Sequence, residues 1–231
     1  MQVSIERLGN EQTPIVIIDD AHPQPEQLVR AARNSQWLRE NPYYPGMRAQ
    51  VPADYLSPLL EKVADALEQA YDLDTRNGLA SAAITNAFCC YSMVTKPPTE
   101  LQPIQSLPHF DATHGRQLAM LHYLCDKPFR GTAFFRHRES GFENILDDRV
   151  TAYQAQAGKH LEQVQPGYAS ECGDWYEKVG EVEARFNRVT FYPASLLHSG
   201  IVGRTERLSD NAVQGRLTIT GFIDLTNKLN W

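Results

Sequence analysis

The stretch Leu107–His114, "LPHFDATH", puts two imidazoles and one carboxylate within six residues. It lies between two runs that read as β-strands, Ala87–Val94 ("AFCCYSMV") and Gln117–Leu124 ("QLAMLHYL"). In an extended chain residues i and i+2 share a face, so His109 and Asp111 stand side by side while Phe110 points away. His198 opens a further strand-like run, Leu197–Val202 ("LHSGIV"). Two imidazoles and one carboxylate on one face of a metal, with the opposite positions open, form the facial triad that suits non-haem iron(II). The bland alternative is a polar turn in which Asp111 caps local amides and His114 is solvated. H-x-D alone does not decide between them, so its surroundings must.

The strand pattern continues on both sides. Pro14–Asp20 ("PIVIIDD") reads as a buried strand, and Gly131–Arg136, Arg188–Tyr192 and Arg216–Ile223 read as strands downstream. Pro23 and Pro25 open a helix running to about Trp37, with Leu28, Val29 and Ala32 on one face. The segment 42–52 ("PYYPGMRAQVP") is rich in proline and glycine and predicts a loop. Leu56, Leu59, Leu60, Val63 and Leu67 then recur at helical spacing, with Ser57-Pro58 as its expected start. Between 142 and 186 two helical stripes follow, one from Leu146 to Val164, the other Trp175, Tyr176, Val179, Val182 and Phe186. Helices first, then a strand-rich half with a helical insertion at 142–186, predict one α+β domain over residues 1–231 built around a β-barrel.

Bulk properties exclude several classes of function. The 231 residues are 42% hydrophobic and 22% charged, as in ordinary globular proteins. The net charge of -6, without any basic cluster, argues against nucleic acid or an anionic membrane as partner. The four cysteines, Cys89, Cys90, Cys125 and Cys172, lack the C-x-x-C spacing of a zinc ribbon. Free thiols in a reducing compartment are expected, and with no secretory signal or bilayer-spanning run the expected location is the cytoplasm. Of the seven histidines, His22 and His160 receive no role.

Taken together these segments resemble the Fe(II)/2-oxoglutarate-dependent dioxygenase superfamily, and its prolyl-hydroxylase-like branch in particular. "LAMLHYLCDKPFRGTAFF" is similar to that family's strand–turn–glycine–strand segment. "NRVTFYPASLLHSG" resembles the strand leading through F-P to the distal histidine, "GRLTITGF" the strand after it, and "IVIIDDAHPQPEQL" the entry strand and helix. The resemblance implies a double-stranded β-helix (jelly-roll) core with N-terminal flanking helices. It makes His109, Asp111 and His198 the metal ligands, with Fe(II) and 2-oxoglutarate as cofactors and O2 as co-reactant. Arg216, with Thr218 on the same face, would hold the distal carboxylate of 2-oxoglutarate. Tyr91 would be the co-substrate tyrosine, with Tyr123 its rival.

Three departures from the family pattern stand out. Arg216 lies further from His198 than is usual, which leaves Arg207 as a competitor, although Arg207 runs into the turn signal Ser209-Asp210-Asn211. Arg130-Gly131-Thr132 has lost one glycine of the family's pair. The segment before H-x-D, "TKPPTELQPIQS", is proline-rich. The implied reaction is hydroxylation of a small molecule, amino acid or peptide. Tyr43, Tyr44, Arg48 and Trp175 would border the mouth of the barrel, and 142–186 would cover it. Two other readings remain open at this level, a jelly-roll binding module without turnover and a cupin-like metal enzyme that does not use 2-oxoglutarate.

Overall fold

The computed structural model describes residues 1–39, 43–73, 84–169, 173–203 and 208–231. Arg207 and Cys172 lie outside the described residues. Among the described residues the fold is mostly antiparallel β-sheet with three α-helices. Its strands are β1 (Gln2–Leu8), β2 (Thr13–Asp19), β3 (Gly46–Gln50), β4 (Ile84–Val94), β5 (Gln117–Tyr123), β6 (Thr132–His137), β7 (Tyr176–Val182), β8 (Arg188–Pro193), β9 (His198–Gly200) and β10 (Arg216–Leu225). The helices are α1 (Pro25–Arg33), α2 (Leu56–Tyr71) and α3 (Val150–Gln163). One sheet runs β1-β2-β8-β5-β10-β4-β3 and the other β7-β6-β9. From β5 onward the chain passes between the two sheets four times, at β5–β6, β7–β8, β8–β9 and β9–β10.

Period-two patterning decides which side chain faces which layer. In β2, Val16 and Ile18 pack under the helices with Leu28, Ala32, Leu60, Val63 and Leu67. Ile15 and Ile17 point the other way, toward Phe134 of β6 and Val182 of β7 between the sheets. On the far side of the small sheet, Phe135 packs with Tyr153 and Ala157 of α3. Each large side chain buried in this way stabilises by about 1.5–3 kcal/mol. In α1, Pro25 sits in the first turn with Glu26, and Arg30 and Arg33 close the last turn, matching the helix dipole at both ends. Helix α2 begins at Leu56, ahead of the expected Ser57-Pro58 start, and Pro58 is tolerated within its first turn.

Two expectations are corrected. The loop predicted at 42–52 contains β3, an edge strand paired with β4 from Gly46↔Val94 to Gln50↔Cys90. Among the described residues of the predicted helical insertion 142–186 only α3 is an α-helix, and the second stripe is strand β7. A register shift between Phe134 and Phe135 explains the misleading spacing. Phe134 pairs with Gly180 but Phe135 with Lys178, so Val179 is an extra residue. Tyr176 therefore packs toward α3 while Val182 packs between the sheets, although an unbroken strand would put both on one face. A bulged strand with apolar residues three apart imitates a helix.

The segment after β6 is fastened to the β1–β2 turn by a buried carboxylate. Glu143, with no exposed side-chain surface, accepts hydrogen bonds from the Asn10 and Glu11 amides at 2.8 and 3.0 Å. It also pairs with the Arg136 guanidinium at 2.6 Å. Gly9 is required at that turn, because its φ is +61° and a Cβ there would collide with the Glu143 carboxylate. Removing one partner of a buried ion pair strands the other, so Glu143→Ala is expected to cost about 3–5 kcal/mol. Urea unfolding checks this, and a loss below about 1 kcal/mol would show the clip to be dispensable.

At the opposite end Asp19 closes β2 against β8. Its carboxylate accepts from Arg188 at 2.7 and 3.0 Å and from Arg185 at 2.9 Å. The Arg188 hydrogen bond holds the Asp19 carboxyl below its ordinary value, against the opposing effect of burial. A depressed carboxyl pKa stabilises the fold above the unfolded pKa of about 4 and loses that contribution as pH falls through the lower folded value. Asp19→Asn should thus cost about 1.5–3 kcal/mol at pH 7. The gap from wild type should shrink below about pH 4 in paired urea titrations, and a gap unchanged to pH 2 would contradict this.

Candidate metal centre

His109 forms a two-way backbone pair with His198 of β9, each amide donating to the other's carbonyl, at 2.9 and 2.8 Å. Residues opposed in such a pair project to the same side, and the two imidazole centroids stand 4.3 Å apart. The Asp111 amide donates to the Ala194 carbonyl at 2.7 Å, holding the next residues against the link between β8 and β9. The ligand-capable atoms of His109, Asp111 and His198 all lie within 4.8 Å of one another. Among the described residues they are the one His/Cys/Asp/Glu group so arranged.

The chemistry of the donors fits a divalent cation. A carbonyl oxygen can only accept, so His198 Nδ1, 2.8 Å from the Leu196 carbonyl, carries the ring proton. Nε2 is left bare, 3.4 Å from Asp111 Oδ2. Metal–donor bonds of about 2.1 Å place neighbouring donors about 3 Å apart, close to that separation. Burial pushes the His109 pKa down to about 4, helped by the His198 ring and opposed by Asp111. His109 still exposes surface to the cavity, but the protein packed around its ring governs, and it is neutral at pH 7 as a ligand must be.

The other described histidines are engaged elsewhere. His114 Nδ1 accepts from the Arg116 amide, as the turn reading of its half of "LPHFDATH" requires. His22 Nδ1 accepts from the Gln24 amide. His122 is buried between Tyr55 and Asn187, and burial pushes its pKa down to about 3. His137 and His160 lie beyond the small sheet with Tyr176 and Trp175.

The triad borders a cavity of about 630 Å³ between the sheets. Arg216, at the start of β10, lines the same cavity and is only 4% exposed. Its Nε donates to the Arg130 carbonyl at 3.2 Å and an Nη to the Gly131 carbonyl at 2.8 Å. Gly131 must be glycine, because a Cβ would collide with the Val182 carbonyl. Among the described residues no carboxylate lies within 4.0 Å of the Arg216 guanidinium. Thr218 also lines the cavity, and its hydroxyl donates to the Ser92 carbonyl at 3.1 Å.

Tyr91 is not at this site. It lies in the layer under the helices, where its phenol donates to the Leu28 carbonyl at 2.8 Å. Its neighbour Ser92 has the parity that faces inward, hydrogen-bonded to Thr220 at 2.7 Å. Tyr123 is on the inner side, 5.9 Å from ring centre to the Arg216 guanidinium carbon, but its hydroxyl is occupied with Thr132. The phenol that lines the cavity beside Arg216 is Tyr44, expected only at the mouth. Burial pushes its pKa up to about 12 although Arg216 and Arg48 pull it down, so it remains a hydrogen-bond donor. Tyr43 and Arg48 border the cavity as expected, whereas Trp175 stacks on His160. Helix α3 packs on the outer face of the small sheet rather than over the opening. From 142–186, among the described residues, Tyr168 alone reaches the cavity.

Among the described residues, two antiparallel sheets, three α-helices and one His₂Asp cluster define this chain structurally. Residues 1–223 match the family of unknown function DUF6445, and the chain belongs to that family. None of the curated proteins matches it. Among solved structures it is similar to HygX from Streptomyces hygroscopicus with nickel, 2-oxoglutarate and hygromycin B bound. That similarity has a TM-score of 0.47 and 11% identity over 93% of this chain and 84% of the other. Iron-bound HygX is similar at a TM-score of 0.45 and 15% identity, covering 94% and 87%. The non-haem alpha-ketoglutarate-dependent epimerase SnoN from nogalamycin biosynthesis is similar at 0.43 and 16%, covering 93% and 79%. No helix among the described residues is long and apolar enough to cross a membrane.

Proposed function

We propose that this protein is an Fe(II)/2-oxoglutarate-dependent oxygenase on a jelly-roll core, acting on a small molecule, amino acid or peptide. One observation carries the reading: the cavity that holds the His109/Asp111/His198 cluster also holds a buried guanidinium, Arg216, without a carboxylate partner. A metal site alone has no need of that arginine, and a binding module has no need of the triad. With Fe(II) and 2-oxoglutarate bound, the site supplies oxidative decarboxylation by O2 coupled to hydroxylation of a nearby C–H bond.

The chain's own residues would orient the reactants and exclude water. His198 is kept in the metal-binding tautomer by the Leu196 carbonyl. Arg216, aimed by the Arg130 and Gly131 carbonyls, would grip the distal carboxylate of the co-substrate in a charge-assisted pair. Tyr44 takes the donor role first expected of Tyr91, and Thr218 adds a second donor once it turns from Ser92.

Anaerobic addition of Fe(II) and then 2-oxoglutarate tests the proposal through the weak visible metal-to-ligand charge-transfer band. The band is expected only with both present. Fe(II) binding without the band would favour the metal enzyme that ignores 2-oxoglutarate, and no Fe(II) binding would favour the binding module.

A further inference from the structure

Arg48 is a second cation in the same cavity, and no carboxylate among the described residues neutralises it. It lies in edge strand β3 opposite Ser92, which in turn pairs with Thr218, so the three form one row across the sheet. Arg216 is two strands away and one inward-facing position along. Strand spacing and rise put their Cα atoms about 12 Å apart. The Arg48 guanidinium lies 4.7 Å from the centre of the Tyr44 ring, which fixes its plane. Its Nε is buried and has no hydrogen-bond partner. Among the described residues no carboxylate lies within 4.0 Å of it, and Asp111 is the one acidic residue lining the cavity.

Charge complementarity makes this more than an idle side chain. On the proposed function, Fe(II), the Asp111 carboxylate, the 2-oxoglutarate dianion and Arg216 together are neutral. Arg48 is then the charge left over, in a cavity walled by Phe88, Phe110, Phe222 and Tyr168. A guanidinium facing such walls is best satisfied by an anion that can take its fork. We infer that the primary substrate carries an anionic group, a carboxylate or a phosphate, on an apolar body, and that Arg48 binds that group. This inference rests on the proposed function, since a single bound anion at Arg48 would otherwise be the co-substrate itself. Arg48 is thereby a specificity residue: it selects which molecule enters, and Tyr44, placed between the two arginines, borders both subsites.

The test uses the full-length protein loaded with Mn(II), as a redox-silent stand-in, and 2-oxoglutarate. Calorimetric titrations with 3-phenylpropanoate, 3-phenylpropyl phosphate and neutral 3-phenylpropan-1-ol follow, on wild type, Arg48→Gln and Arg48→Lys. At least one anion is expected to bind wild type at least about tenfold more tightly than the alcohol. Arg48→Gln should remove that advantage and leave alcohol binding unchanged, with Arg48→Lys between. Which anion binds better tells carboxylate from phosphate. Neither anion binding wild type, an alcohol that binds as well as the anions, or equal anion binding in Arg48→Gln each overturns the inference. Separate titration of 2-oxoglutarate keeps the two readings apart. If Arg48→Gln loses 2-oxoglutarate and Arg216→Gln does not, Arg48 is the co-substrate clamp and the second anion is refuted. If neither variant loses it, the co-substrate reading fails, and the anion advantage at Arg48 is judged by its own titration.

Discussion

Replacing His198 with alanine is expected to lower Fe(II) affinity by more than about 100-fold, beyond what is lost when a mere outer partner of a metal ligand is removed. His198 supplies the one ligand in the cluster that is buried, and its Nε2 is kept bare by a hydrogen bond on the opposite side of the ring. Without it, His109 and Asp111 remain as a two-ligand site open to the cavity, too few to hold a divalent ion against water. His114→Ala is the informative control. It removes an imidazole from the same short stretch, but one whose Nδ1 is already used by the Arg116 amide, and Fe(II) binding should be unchanged. Anaerobic equilibrium dialysis gives the answer. Equal affinity in wild type and His198→Ala would remove the triad, and with it the proposed chemistry.

The second large effect is at Arg216. Arg216→Ala should retain Fe(II) binding yet weaken 2-oxoglutarate severely. Truncating one partner of a buried, hydrogen-bonded charge pair costs about 2–5 kcal/mol, roughly 30-fold to a few thousand-fold in affinity. A lysine should rescue only partly, because it is a point charge and cannot make two parallel contacts while also satisfying the Arg130 and Gly131 carbonyls. Decarboxylation of labelled 2-oxoglutarate in the absence of primary substrate reads this out. If Arg216→Ala decarboxylates at wild-type concentrations of co-substrate, the clamp is elsewhere.

The outcome at each position follows from how much of its geometry is local. His109 and Asp111 are two apart in an extended run, so the rule that sets their shared face needs no knowledge of the rest of the chain. The cavity-facing position of Arg216 was legible for a similar reason: Leu217 and Ile219 alternate with Thr218 and Thr220, so the strand declares its apolar and polar faces. Tyr91 was not. "AFCCYSMV" has nearly the same polarity on both faces, and a slip of one residue exchanges Tyr91 for Ser92 at the cavity. Strand β3 was hidden because Pro42, Pro45 and Gly46 announce a loop, while the pairing that makes 46–50 a strand comes from β4. Strand β7 was misread because its bulge, set by β6, breaks the alternation that would have identified it.

The large sheet ends in two very different margins. Strand β3 is partly covered by Leu38, which bridges to Arg48. Among the described residues no strand pairs with the outer edge of β1, which is mostly exposed and pairs with β2 along its whole length. Its sequence, "QVSIERL", carries charge on an otherwise open row of amides, while β2 behind it is "TPIVIID", apolar on both faces and almost entirely buried. The strand Gln2–Leu8 is therefore expected to act as a sleeve against polymerisation. A protein trimmed of it would keep its centre and its second cavity arginine but offer β2 as a template to other copies of itself. Its failure is expected to appear as concentration-dependent light scattering at 37 °C while the far-UV spectrum is still that of folded protein, and a trimmed chain that stays monomeric would show the sleeve to be unnecessary.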